Sequence, residues 1–114
     1  MSKKKQPSLT SDEKLALANL RRGLLDMSFV ESILLYGSAA RGEADEESDI
    51  DLLVLTSKKL TRPERHQITD LVYQINLAED TNFSTLVVDR TSWENGIFSV
   101  LPIHEQIARE GIAV

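Results

Sequence analysis

The sequence contains no cysteine, a single tryptophan and two histidines in 114 residues. Without cysteine there are no disulfides and no thiolate-ligated metal, a composition that fits a cytoplasmic protein. No apolar run approaches the length of a membrane span, and the N-terminus lacks the apolar stretch of a signal peptide, so no membrane association is expected. A net charge of −5 speaks against a general nucleic-acid-binding surface. The one basic cluster, Lys3-Lys4-Lys5, reads as a solvated tail. His66 and His104 fall on predicted helices with no partners at metal-ligand spacing, and read as surface or helix-packing residues. No repeat, low-complexity segment or dividing linker is present. Residues 1–8, polar and carrying Pro7, are expected to be a disordered tail, and residues 9–114 a single domain with a modest core. Hydrophobic content of 41% and charged content of 27% are ordinary for a globular chain.

What is present is concentrated between Leu34 and Leu55. An apolar run ends in Tyr36-Gly37-Ser38, a charged loop follows, and a second run opens Asp49-Ile50-Asp51-Leu52-Leu53-Val54-Leu55. Alternate side chains of a strand share a face, so Asp49 and Asp51 project together, with Cα atoms about 7 Å apart after two strand rises. Carboxylates so placed suit Mg2+, a hard cation that takes its remaining ligands from water and phosphate; paired metals in two-metal sites lie about 3.5–4 Å apart. Gly37 lets backbone approach a ligand, and Ser38 offers a hydroxyl. A short helix starting at Ala39 would add free N–H groups for an anion. Arg41 presents a planar fork that suits phosphate oxygens, and alternatively a surface pair with a nearby glutamate. Glu43, Asp45, Glu46 and Glu47 read as a solvated acidic loop.

Around this stretch the elements follow from periodicity and capping. Thr10 and Glu13 form a capping box, and Leu17, Leu20, Leu24 and Met27 line one face of the helix that follows; Gly23 is expected to shorten it. Phe29–Tyr36 is the first strand and Asp49–Leu55 the second. After a turn at Ser57–Leu60, Thr61 and Glu64 make a second capping box with Pro63 in the first turn. Ile68, Leu71, Val72, Ile75 and Ala78 then mark a helix face. A third strand spans Asn82–Val88, and Pro102–Glu110 forms a terminal helix stopped by Gly111, with 112–114 extended. The link between the first two strands is too short for a parallel crossover, so they pair antiparallel. Strand two, helix and strand three form a right-handed parallel crossover. The predicted architecture is an α/β (α+β) domain: a small mixed sheet with flanking helices.

Gly-Ser, ten residues, then Asp-x-Asp resembles the signature of the polymerase-β-like nucleotidyltransferase superfamily. At this length, with Arg41-Gly42 and Ser48, the chain is similar to the minimal nucleotidyltransferases, or MNT proteins. The resemblance implies Mg2+-dependent transfer of a nucleoside monophosphate, AMP from ATP, to a hydroxyl. Asp49 and Asp51 would be the catalytic metal ligands, and Gly37, Ser38 and Arg41 the nucleotide-binding residues. It also implies a partner, since MNT proteins pair with a helical HEPN toxin that the antitoxin restrains or modifies by adding AMP to a tyrosine. Larger members carry a further domain for the acceptor, for which these 114 residues leave no room.

One departure stands out. The superfamily commonly adds a third carboxylate from a later strand, expected here early in strand three. Asn82-Phe83-Ser84-Thr85-Leu86 has none; Asp80 lies just ahead, and Asp89 at the far end is the poorer candidate. Two acids hold one cation well and a second poorly, so transfer is expected to be slow or lost. Two other readings stay open: a small-molecule enzyme of the aminoglycoside-nucleotidyltransferase kind working with a helical subunit, and a non-catalytic module that covers a partner. Trp93, Ile97, Phe98 and Val100 gather large apolar side chains near the end of the chain, which suggests a surface for a helical partner or a second copy. Tyr36 reads as structural.

Overall fold

Two capping boxes start the two long helices. The computed structural model describes residues 7–45 and 47–114; Lys3–Lys5, the rest of the tail before Pro7, and Glu46 lie outside the described residues. Ser8, assigned above to the tail, is tied into the fold: its N–H donates to the Ala39 carbonyl at 2.9 Å, and its Oγ accepts from the Ala44 N–H at 3.0 Å. In helix α1 (Ser11–Leu25) the Glu13 N–H donates to Thr10 Oγ1 at 3.1 Å while the Thr10 N–H donates to Glu13 Oε1 at 2.9 Å. The helix buries Ala16, Leu17, Leu20 and Leu24, with Met27 partly buried beyond its end. It is not shortened at Gly23. A Cβ there would lie 2.7 Å from Leu71 Cδ2, so the missing side chain lets α1 press against the second long helix. Packing offsets the about 1 kcal/mol that glycine costs inside a helix.

That helix, α3 (Arg62–Glu79), follows the same capping pattern from Thr61 and Glu64. It buries Ile68 and Val72, with Leu71 and Ile75 partly covered. Ala78, expected on this face, is exposed. Ten residues at 3.6 per turn rotate it about 80° from Ile68, off the apolar stripe. The helix ends at Asp80, whose φ of 53° is left-handed. Asn76 then clasps the next strand: its Oδ1 accepts from the Phe83 N–H at 2.8 Å and from Thr81 Oγ1 at 3.0 Å, while its Nδ2 donates to the Phe83 carbonyl at 3.1 Å.

The sheet contains β1 (Val30–Tyr36), β2 (Ile50–Thr56), β3 (Phe83–Asp89) and a two-residue β4 (Ile112–Ala113), in the order β3-β2-β1-β4. As the loop lengths required, β1 and β2 are antiparallel and β2 and β3 parallel; β4 lies antiparallel to β1 on the other side. β2 is interior, and Leu52, Leu53 and Val54 are all fully buried, which is why this strand reads as a continuous apolar run. One face packs on α1 and α3 through Leu20, Ile33, Leu35, Leu52, Val54 and Ile68. On the other, Leu53 and Val88 meet Trp93 and Ile107. Trp93 comes from a five-residue helix, α4 (Arg90–Glu94), and Ile107 from α5 (Pro102–Glu110). The Trp93 ring stacks 4.5 Å from that of His104, which gives this histidine its packing role. Trp93 therefore belongs to the core, with Phe98 packed against it. Ile97 and Val100, in the 3-10 turn Ile97–Val100, remain 70% and 81% exposed. No helix among the described residues is long and apolar enough to cross a membrane.

Candidate nucleotide and metal site

The antiparallel pairing of β1 with β2 sets Tyr36 opposite Asp51, so the chain leaving β1 passes directly over that carboxylate. Gly37 follows with φ +78°, and a Cβ on it would stand 2.5 Å from Asp51 Oδ2. Only glycine satisfies both the left-handed backbone and the contact. The turn continues into α2 (Gly37–Ala40), which starts two residues before the expected Ala39 and contains Ser38, half-buried. With one turn, α2 has little macrodipole, so any grip on an anion falls to individual N–H groups and the Ser38 hydroxyl.

Asp49 is exposed just before β2, and Asp51 is half-buried within it. Burial, followed by the charge of Asp49, pushes the Asp51 carboxyl above its ordinary range; Arg41 pulls it down and Glu110 pushes it up again. The charge of Asp49 thus opposes that of Asp51, and a divalent cation would relieve that repulsion. The donor set fits magnesium. No group of three or more acids and histidines is disposed to hold a metal among the described residues, so Asp49 and Asp51 would supply the protein's ligands and phosphate and water the rest. Tyr36 is raised as well, by burial first and the charge of Asp51 second.

Arg41 is engaged by two glutamates. Its Nε donates to Glu43 Oε2 at 3.2 Å, and its Nη1 to Glu110 Oε2 at 2.8 Å. The pairing anticipated as an alternative to phosphate contact is thus present in this structure, and one of its two partners comes from the last turn of α5. Glu110 was not singled out from the sequence. A signal existed: an acid in the last turn of a helix faces the negative end of the macrodipole and needs a reason to be there.

The candidates for a third acid fall elsewhere. Register pairs Asp51 with Ser84, an exposed serine at the level where a carboxylate was expected. Asp89 is opposite Thr56, five residues further along β2, about 17 Å from Asp51 at strand rise. There its carboxylate caps α4, accepting from the Ser92 N–H at 3.0 Å and from Ser92 Oγ at 2.8 Å. Asp80 lines a surface cavity of about 420 Å³ together with Asp12, Glu13, Asp45 and Glu79, and neither Asp49 nor Asp51 borders it.

A glycine-serine turn is packed on one of two adjoining carboxylates at one end of a mixed sheet. The family model described as Polymerase beta, Nucleotidyltransferase matches residues 19–99, and the chain belongs to this family. Over 62 residues it is 34% identical to the candidate protein adenylyltransferase MJ0141 of Methanocaldococcus jannaschii, a match covering 54% of this chain and 63% of that protein. The chain thus spans less than two thirds of that relative's length. Among solved structures, a candidate minimal nucleotidyltransferase superimposes with a TM-score of 0.60 at 24% identity, covering 94% of this chain and 99% of the other. The complex of a tri-AMPylated Shewanella oneidensis HEPN toxin with MNT antitoxin gives a TM-score of 0.53 at 22% identity, over 88% of this chain and 69% of the matched one. At such identities these structures establish the shared fold.

Proposed function

We propose that the chain is a minimal nucleotidyltransferase that transfers AMP from magnesium-bound ATP to a hydroxyl on a helical HEPN-like protein. The contact of Gly37 with Asp51, beside Asp49, carries this reading, because it puts a glycine-serine turn against a carboxylate that burial and the charge of Asp49 hold above its ordinary range. Asp49 and Asp51 hold the cation, which when bound neutralises the triphosphate and its leaving pyrophosphate. Gly37 and Ser38 hold phosphate oxygens and orient the α-phosphorus. The acceptor oxygen forms a bond to that phosphorus, the bond to the bridging oxygen breaks, and pyrophosphate departs. With Ser84 where a carboxylate would stand, the hydroxyl proton passes to solvent, which makes transfer slow. The adenylyl group and the partner are supported by what the relatives are called, a protein adenylyltransferase and an antitoxin bound to an AMPylated HEPN toxin.

The test is co-expression with a HEPN-like neighbour, followed by solution mass and mass spectrometry of the partner. A stable complex carrying AMP adducts, lost in Asp49→Asn/Asp51→Asn, is expected. Modification of a free small molecule with the neighbour unbound would favour a small-molecule enzyme. The serine at position 84 favours a second reading, a non-catalytic module, and a complex with no adduct under any nucleotide would establish it.

A further inference from the structure

Glu110 occupies a position that local physics disfavours three times over. It is the last residue of α5, at the negative end of the helix. Its side chain is only 14% exposed. It also lies close enough to Asp51 for the two negative charges to oppose each other. Arg41 is what offsets these costs, and it does so from the C-terminal cap of α2, three residues after Ser38. The arrangement is fixed from both sides. α2 and α5 pack together, and β4 anchors the residues after Glu110 to β1, with Ile112 opposite Leu35 and the Val114 N–H donating to the Ile33 carbonyl at 3.1 Å.

Resting on the function proposed above, we infer that Glu110 is a positioning residue for the nucleotide: it holds the Arg41 guanidinium beside Asp51, with Nη2 directed to a phosphate oxygen. The guanidinium has five N–H donors in a rigid fork. Glu43 takes Nε and Glu110 takes Nη1, which among the described residues leaves Nη2 for a further acceptor. A guanidinium held at two corners has fewer orientations to lose when a triphosphate arrives. A local violation of helix charge preference that serves the site is the pattern expected where function outweighs stability.

The test is a double-mutant cycle on the full chain, read by calorimetric titration with Mg-ATP. Arg41→Ala should weaken binding, and Glu110→Gln should weaken it about three- to tenfold, as for a charge-assisted contact loosened rather than removed. In the Arg41→Ala background Glu110→Gln should then have no further effect, because the glutamate acts through the arginine. The charge-swapped pair Arg41→Glu/Glu110→Arg should recover thermal stability without recovering nucleotide affinity, which separates positioning from mere structure. Should Glu110→Gln melt far below the wild type, Glu110→Asp, with the same charge set back by one methylene, replaces it in the cycle. Unchanged or tighter binding by the Glu110 variant, or an equal loss with and without Arg41, overturns the inference. If only Asp49→Asn/Asp51→Asn abolishes binding, the site stands and Glu110 is dismissed. A wild-type chain that binds no Mg-ATP overturns both.

Discussion

Ser84 faces Asp51 across the parallel ladder, on the same side of the sheet. A carboxylate at this position would complete a set of three with Asp49 and Asp51. Ser84→Asp should therefore destabilise the metal-free chain, since three acids repel more than two. It should tighten magnesium binding by about tenfold, through one more charged ligand. Thermal melts in chelator and in magnesium, with metal titrations, check both signs. Asn82→Asp shares the face but stands ahead of β3, and a smaller gain is expected. A Ser84→Asp chain that binds magnesium no better would show that the third ligand must come from another element.

Asp51 predicts a pH dependence whose sign is fixed. Its folded carboxyl holds its proton more tightly than in the unfolded chain, mainly because it is buried. The protonated form's stabilisation is complete below the unfolded pKa and is lost as pH rises through the folded one. Asp51→Asn should therefore melt above the wild type at pH 7 without metal, with the difference closing below about pH 4. With Mg-ATP the order should reverse. Melting curves across pH, with and without Mg-ATP, decide it.

Gly37→Ala tests the close approach of turn and carboxylate. The new methyl would meet Asp51 Oδ2 and be held at φ +78°. Left-handed backbone alone costs a non-glycine residue about 1–2 kcal/mol. Denaturant unfolding should show at least that loss, and Mg-ATP binding should fall with it. An alanine variant that binds nucleotide normally would mean that the turn opens away from Asp51 when loaded.

Asp89 offers the opposite dissection. As the cap of α4 it is structural, so Asp89→Ala should cost about 0.5–2 kcal/mol, the usual range for a lost helix cap. Mg-ATP affinity in the folded variant should be unchanged. Loss of affinity without loss of stability would move Asp89 into the site and contradict the parallel pairing.

Much of this architecture was legible because local signals agreed. Thr10 with Glu13 and Thr61 with Glu64 marked where the long helices begin, and the apolar residues that follow Asp49 and Asp51 marked the second strand. The closeness of the Gly37-Ser38 turn to Asp51 was legible because a short loop joins adjacent antiparallel strands, so neighbours in sequence become neighbours in space. Glu110 was not, because it lies 69 residues from Arg41 and the contact depends on how α5 and β4 close against β1. α4 escaped notice because five residues are too few to display a period. Trp93 looked available to a partner; only the packing of α5 over Leu53 and Val88 takes it into the core.

The brevity of β4 gives the two halves of the site different lifetimes. Asp51 is on a strand bonded on both sides, whose amides exchange with solvent only in large, rare openings. Glu110 is tethered through a two-residue edge strand, the kind of segment that detaches and returns many times while the rest of the sheet stays closed. Asp51 is thus expected to leave its place more rarely than Glu110. A nucleotide bound through Arg41 would slow hydrogen exchange at Val114 while leaving Leu53 unchanged, so that the last residue reports on occupancy at a turn some seventy positions before it.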